Sequence, residues 1–115
     1  MEEIINRLES IISNIFNITI EELRDNRKLR SHTDARSILF YFLHVKYGIS
    51  FYRLSKIYNK HHSTIIRAVN KCEYLKNYDK EFKLKYHMCE LQIENTFNES
   101  YINYLCAMKT IRARR

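Results

Sequence analysis

The chain contains no proline and a single glycine, Gly48. That scarcity of backbone breakers constrains the fold more than any other feature. Tight hairpin turns draw on residues that tolerate positive φ, glycine above all, so a meander or sandwich would have to turn almost without it. Loops that cradle phosphates need several glycines, which rules out both the P-loop and the G-x-G-x-x-G dinucleotide fingerprint. No nucleotide and no cofactor are therefore expected. What remains is helix. With 45% hydrophobic residues in 115 the chain can build a core, and its apolar residues keep a helical period throughout. The expected fold class is all-α, a helical bundle in one compact chain.

The pattern predicts a series of helices with short connections. Ile4, Leu8, Ile11 and Ile15 recur at helical spacing over Glu2–Phe16, widened by Ile5, Ile12 and Phe16. Thr19 and Glu22 form a capping box for a short helix ending near Arg24. A basic loop, Asp25-Asn26-Arg27-Lys28-Leu29-Arg30-Ser31, follows. Ser31 or Thr33 is expected to cap a third helix running to Lys46, with Ala35, Ile38, Leu39, Phe42 and Val45 inward and Gly48 as its left-handed stop. Ser50 caps a fourth helix, Phe51–Tyr58, with Phe51, Leu54 and Ile57 inward. Asn59-Lys60 is a short turn, in which asparagine can take the left-handed conformation. A fifth helix starts at His62 or Ser63 and runs to Lys76. Two short helices across a tight turn form a helix-turn-helix. Two more helices complete the chain, Tyr78–Asn95 and, capped by Asn98, Glu99–Ile111. The division expected is a helix-turn-helix region over 1–76 and a helical extension over 77–115.

Charge is unevenly distributed. The net charge is +7, yet residues 24–71 hold eleven Lys and Arg against Asp25 and Asp34, and no acid occurs from Ala35 to Cys72. A solvated face normally mixes signs, so this segment predicts an anionic partner. Inside it lies Lys60-His61-His62-Ser63-Thr64-Ile65-Ile66-Arg67, the start of the fifth helix. Recognition helices meet the major groove with their N-terminal residues. Ser63 and Thr64 can donate or accept, His61 and His62 can donate to a guanine acceptor, and Arg67 suits a guanine or a phosphate. Ser63 and Thr64 also read as ordinary helix caps.

Catalysis and metal binding find no support in the spacing. No Ser-His-Asp or Cys-His-Asp set, and no carboxylate pair in an apolar setting, stands out, so no enzyme is expected. Adjacent His61 and His62 diverge by about 100° on a helix and chelate poorly. Cys72, Cys89 and Cys106 sit on apolar stripes as buried thiols. Three cysteines, no signal peptide and no apolar run near the roughly 20 residues of a membrane span predict a reduced, cytoplasmic, nucleoid-associated chain.

Residues 4–76 resemble the C-terminal DNA-binding domain of the bacterial replication initiator DnaA, a helix-turn-helix bundle related to the Trp repressor architecture. That family's signature, Gly-Arg-Asp-His-Ser/Thr-Thr-Val followed shortly by His-Ala, is similar to Asn59-Lys60-His61-His62-Ser63-Thr64-Ile65-Ile66-Arg67-Ala68. Its basic loop with a following Ala-Arg resembles Arg27-Lys28-Leu29-Arg30 and Ala35-Arg36. Its Ser-Leu-x-x-Ile-Gly helix start resembles Ser50-Phe51-Tyr52-Arg53-Leu54-Ser55, and Ile18-Thr19-Ile20-Glu21-Glu22-Leu23 matches its opening pattern. The resemblance implies double-stranded DNA as partner. His61, His62, Ser63, Thr64 and Arg67 would face bases. The basic loop, Arg27, Lys28 and Arg30, would enter a minor groove, and Arg36, Ser50, Arg53 and Lys60 would hold phosphates. The family's acidic base reader is His61 here, and a turn glycine is Asn59. Its ATPase module has no counterpart in the chain. Structured-RNA binding and a protein-interaction module, dimerising through helices 77–111, are the alternative readings.

Overall fold

A computed structural model describes residues 2–26 and 28–95. Arg27, Cys106 and the expected helix Glu99–Ile111 lie outside the described residues. The described chain is all-helical. Helix α1 spans Glu2–Phe16 and buries Ile5, Leu8, Ile12 and Ile15. It ends at Asn17, whose φ of 55° is left-handed. Helix α2, Ile20–Arg24, opens with the full capping box: the Glu22 N–H donates to the Thr19 hydroxyl and the Thr19 N–H donates to the Glu22 carboxylate.

Helix α3, Arg30–Tyr41, is the scaffold. It packs against α1, α2 and α5, and Ala35, Ile38, Leu39 and Phe40 are buried along it. Its start corrects the sequence expectation. The cap residue is Leu29, with no side-chain cap bond, and neither Ser31 nor Thr33 serves. Instead the first helical residue, Arg30, ion-pairs with Asp34 one turn on, at 3.4 Å, and with Asp79 at 2.9 Å. A long-range anchor replaces the local one.

The end of α3 differs as well. Phe42–Lys46 form a π turn, in which the Tyr47 N–H donates to the Phe42 carbonyl. This i→i+5 turn is wider than an α turn, so the residues after Leu43 rotate out of phase. Val45, expected inward, is 54% exposed, while Phe42 and Leu43 are buried. Gly48 (φ 68°) then stops the helix. A Cβ placed there would meet nothing within 4 Å, so backbone conformation alone accounts for the glycine.

Helix α4, Phe51–Tyr58, is capped by Ser50, whose hydroxyl accepts from the Arg53 N–H at 3.1 Å. Tyr58 turns inward at its end instead of Ile57, which is 44% exposed. The reason is Glu9, a buried carboxylate on α1. It accepts from the Tyr58 hydroxyl at 3.0 Å and from both Nε and Nη2 of Arg24 on α2. One charged group thereby fastens three helices.

Helix α5 spans His62–Tyr78, two residues longer than expected. Asp79 separates it from helix α6 over residues 80–95, where the Asp79 carboxylate accepts from the Phe82 N–H at 2.9 Å. Phe82, Tyr86, Cys89 and Ile93 of α6 are buried. Tyr86 stacks on Phe42 at 5.3 Å between ring centroids, joining α6 to the π turn.

Candidate nucleic-acid interface

Asn59 takes a left-handed conformation (φ 50°) between α4 and α5. That allows the chain to reverse without the glycine such turns usually hold. The Lys60 N–H closes the turn on the Ser55 carbonyl at 3.0 Å. The cap of α5 is then His61, not Ser63 or Thr64: its Nδ1 accepts from the Ser63 N–H at 3.2 Å. The Ser63 hydroxyl lies 2.7 Å from the same nitrogen, and the His61 and His62 rings stack at 4.5 Å. His61, His62, Thr64 and Arg67 are exposed and Ser63 is half-buried. Ile65 and Val69, buried on the opposite face, hold this surface outward.

Beside that surface lies a cleft of about 240 Å³ between α3 and α5, floored by Phe40 and Ala68. Arg36, Lys60, Thr64, Arg67 and Lys71 line it. Four of these five were not expected together: Thr64 and Arg67 as base readers, Arg36 and Lys60 as phosphate holders. The fifth, Lys71, was missed, although residues 64, 67 and 71 follow the three-and-four spacing of one face of α5. Lys71 bridges to Asp34 at 2.9 Å and to the Thr33 hydroxyl at 3.2 Å. Lys60 reaches the Asn26 side chain at 2.5 Å.

The cleft is electrostatically loaded. Burial lowers the pKa of Lys60 from its ordinary value, with the nearby Arg36 guanidinium adding to the effect and Asp25 opposing it. Burial likewise lowers that of Arg36, again opposed by Asp25. Two like charges held together and partly out of water favour an anion between them.

Other expected site residues lie elsewhere. Arg53 lines a separate cleft with Glu2, Asn6 and Arg24, beside α1 and α2. Ser50 is exposed, with its hydroxyl engaged as the α4 cap. Lys28 is exposed. Arg30 belongs to α3, and its guanidinium faces Asp34, Asp79 and Glu81. Cys72 and Cys89 are buried, and burial pushes the Cys89 thiol up to about 12. Among the described residues no three His, Cys, Asp or Glu side chains group to hold a metal, and no described helix is long and apolar enough to cross a membrane.

Residues 5–72 match the family model described as the bacterial DnaA protein helix-turn-helix. The chain belongs to this DnaA helix-turn-helix family. The matched DnaA segment runs from α1 to Cys72 in α5 and includes the whole turn and the cationic cleft. Membership places the chain among DNA-binding helix-turn-helix domains. A relative is the chromosomal replication initiator protein DnaA of Onion yellows phytoplasma (strain OY-M), 25% identical over 84 residues. Those residues are 73% of this chain and 16% of the relative. The chain thus corresponds to a small fraction of that DnaA protein.

Proposed function

We propose that this chain is a sequence-preferring reader of double-stranded DNA, serving as a small regulator or replication accessory factor with no ATPase activity of its own. The observation that carries the reading is the cleft: Thr64, Arg67 and Lys71 on one face of α5, Lys60 in the turn before it and Arg36 opposite on α3, inside a segment free of acids from Ala35 to Cys72. The outer surface of α5 enters the major groove, where His61, His62, Ser63 and Thr64 face base edges. Arg36 and Lys60 take a backbone phosphate beside it, with Arg67 within reach of base or phosphate. Ser50 and Arg53 at the start of α4 meet the flanking backbone. Arg27, Lys28 and Arg30, which precede or open α3, are assigned to the neighbouring minor groove, Arg30 exchanging its pairs with Asp34, Asp79 and Glu81 for phosphate. Residues 1–76 form the reading unit. Residues 77–115 extend it, and α6 braces the π turn through the Tyr86–Phe42 stack.

Selection from a pool of random duplexes, followed by salt titration on the enriched site, tests this. An enriched motif is expected, with affinity falling steeply as salt rises because phosphates release counterions. Lys60→Gln should weaken all duplexes alike and reduce the salt slope by about one, whereas Thr64→Ala should relax preference at one base pair. A-form RNA has a major groove too narrow for a helix, so duplex RNA should compete poorly. Failure to enrich any motif, together with preferential RNA binding, would overturn the reading.

A further inference from the structure

We infer that the cap of α5 sets the hydrogen-bond polarity with which this protein reads bases: His61 presents a donor and Ser63 presents only an acceptor. The inference rests on the DNA-reading function proposed above and deepens it.

The geometry fixes both groups. A backbone N–H has only a proton to offer, so the Ser63 N–H donating to His61 Nδ1 at 3.2 Å requires a lone pair on that nitrogen. The proton of the neutral ring then sits on Nε2. The Ser63 hydroxyl, 2.7 Å from the same Nδ1, meets an atom with nothing to donate. Its single proton must point to the ring, and its lone pairs alone are left for an incoming ligand. A ring flip that exchanged the nitrogens would break both bonds and disturb the stack on His62 at 4.5 Å. His61 itself is exposed, so Nε2–H is accessible at the tip of the helix that bears the reading face.

Major-groove edges respond differently to these two groups. A donor suits guanine O6 or N7, thymine O4 and adenine N7, but cytosine offers only its amino group and is refused. An acceptor suits the amino groups of cytosine and adenine, while guanine and thymine offer it nothing. The protein should therefore exclude cytosine opposite His61, and exclude guanine and thymine opposite Ser63.

The test is random-duplex selection with the full chain and three variants, alongside direct measurement of duplex affinity and thermal melting. His61→Asp keeps a good N-cap acceptor but removes the donor. Its motif should change at one base pair, to cytosine or adenine, and the wild-type site should weaken about tenfold. His61→Asn also caps well and retains a donor, so it should keep the wild-type motif. Ser63→Ala preserves the backbone cap bond and should relax a second base pair. An unchanged motif for His61→Asp, with melting also unchanged, overturns the inference. Tight duplex binding by wild type with no motif also overturns it, while leaving DNA binding intact. Absence of duplex binding overturns both this inference and the function beneath it.

Discussion

Replacing Arg24 with methionine is expected to destabilise the protein by about 3 kcal/mol, a cost typical of stripping one partner from a buried ion pair. The target is modest on the surface. Arg24 is 52% exposed, but the Glu9 side chain it holds is only 1% exposed. Methionine keeps the apolar stem and removes both N–H donors, leaving a buried carboxylate with the Tyr58 hydroxyl alone. Partial solvent access at Arg24 keeps the loss near the lower end of the range. Tyr58→Phe removes one hydrogen bond to a charged group and should cost about 1.5–2 kcal/mol. The triple variant Arg24→Met, Glu9→Met, Tyr58→Phe removes every polar member and should recover most of the loss, since well-packed apolar groups often replace a buried pair without penalty. Urea unfolding followed by circular dichroism measures all three. A loss under about 1 kcal/mol for Arg24→Met would mean that water reaches Glu9 and that the cluster is not a buried charge site. The cluster has an alkaline signature too. Burial, then the Glu9 carboxylate, raise the Tyr58 hydroxyl above its ordinary 10.0. The unfolded chain loses that proton first, so this contribution is intact at neutral pH and declines once the pH passes the ordinary value.

Phe40→Ala is expected to cost about 3–5 kcal/mol, the range for truncating a buried aromatic, and to lower the melting temperature by roughly 15 °C or more. Phe40 is 1% exposed and meets Tyr58 edge-on at 5.0 Å between ring centroids. It also floors the cleft lined by Arg36, Lys60 and Arg67. Removing it opens the core to that cleft and frees α5 to shift against α3. DNA affinity should therefore drop even at temperatures where the variant stays folded. Phe40→Leu, closer in volume, should lose far less of both. Melting curves and duplex titrations at one low temperature separate the two effects. Unchanged affinity in a folded Phe40→Ala protein would show that the cleft floor does not position the cations.

How much of this was legible in the sequence follows the range of the forces involved. Thr19 with Glu22, the Ser50 cap, the Gly48 stop and the left-handed Asn59 act within a few residues, and the sequence expresses them directly. The start of α3 escaped because Arg30 is fixed by Asp79, 49 residues away, and no local pattern carries that. The turning of Tyr58 in place of Ile57 depends on Glu9, also 49 residues distant. The π turn escaped because an unbroken apolar run, Ile38 to Leu43, is compatible with either winding. At the cleft the run of Lys60, Thr64, Arg67 and Lys71 was present in the spacing, so Lys71 was readable. The His61 cap was not, because histidine is uncommon in that role and only the placement of Nδ1 against the Ser63 N–H reveals it.

The π turn Phe42–Lys46 has a consequence for how this chain tolerates a change in length. It carries one residue more than an α turn over the junction between the scaffold helix and the helix-turn-helix. Val45, with its side chain largely in solvent, is the dispensable one. Deleting it is expected to let the junction rewind as an α turn, with Phe42 and Leu43 still on the core and Gly48 still ending the helix, so the deletion variant should keep its helical circular dichroism and melt cooperatively. On that expectation the junction absorbs the loss of a residue without re-registering α5.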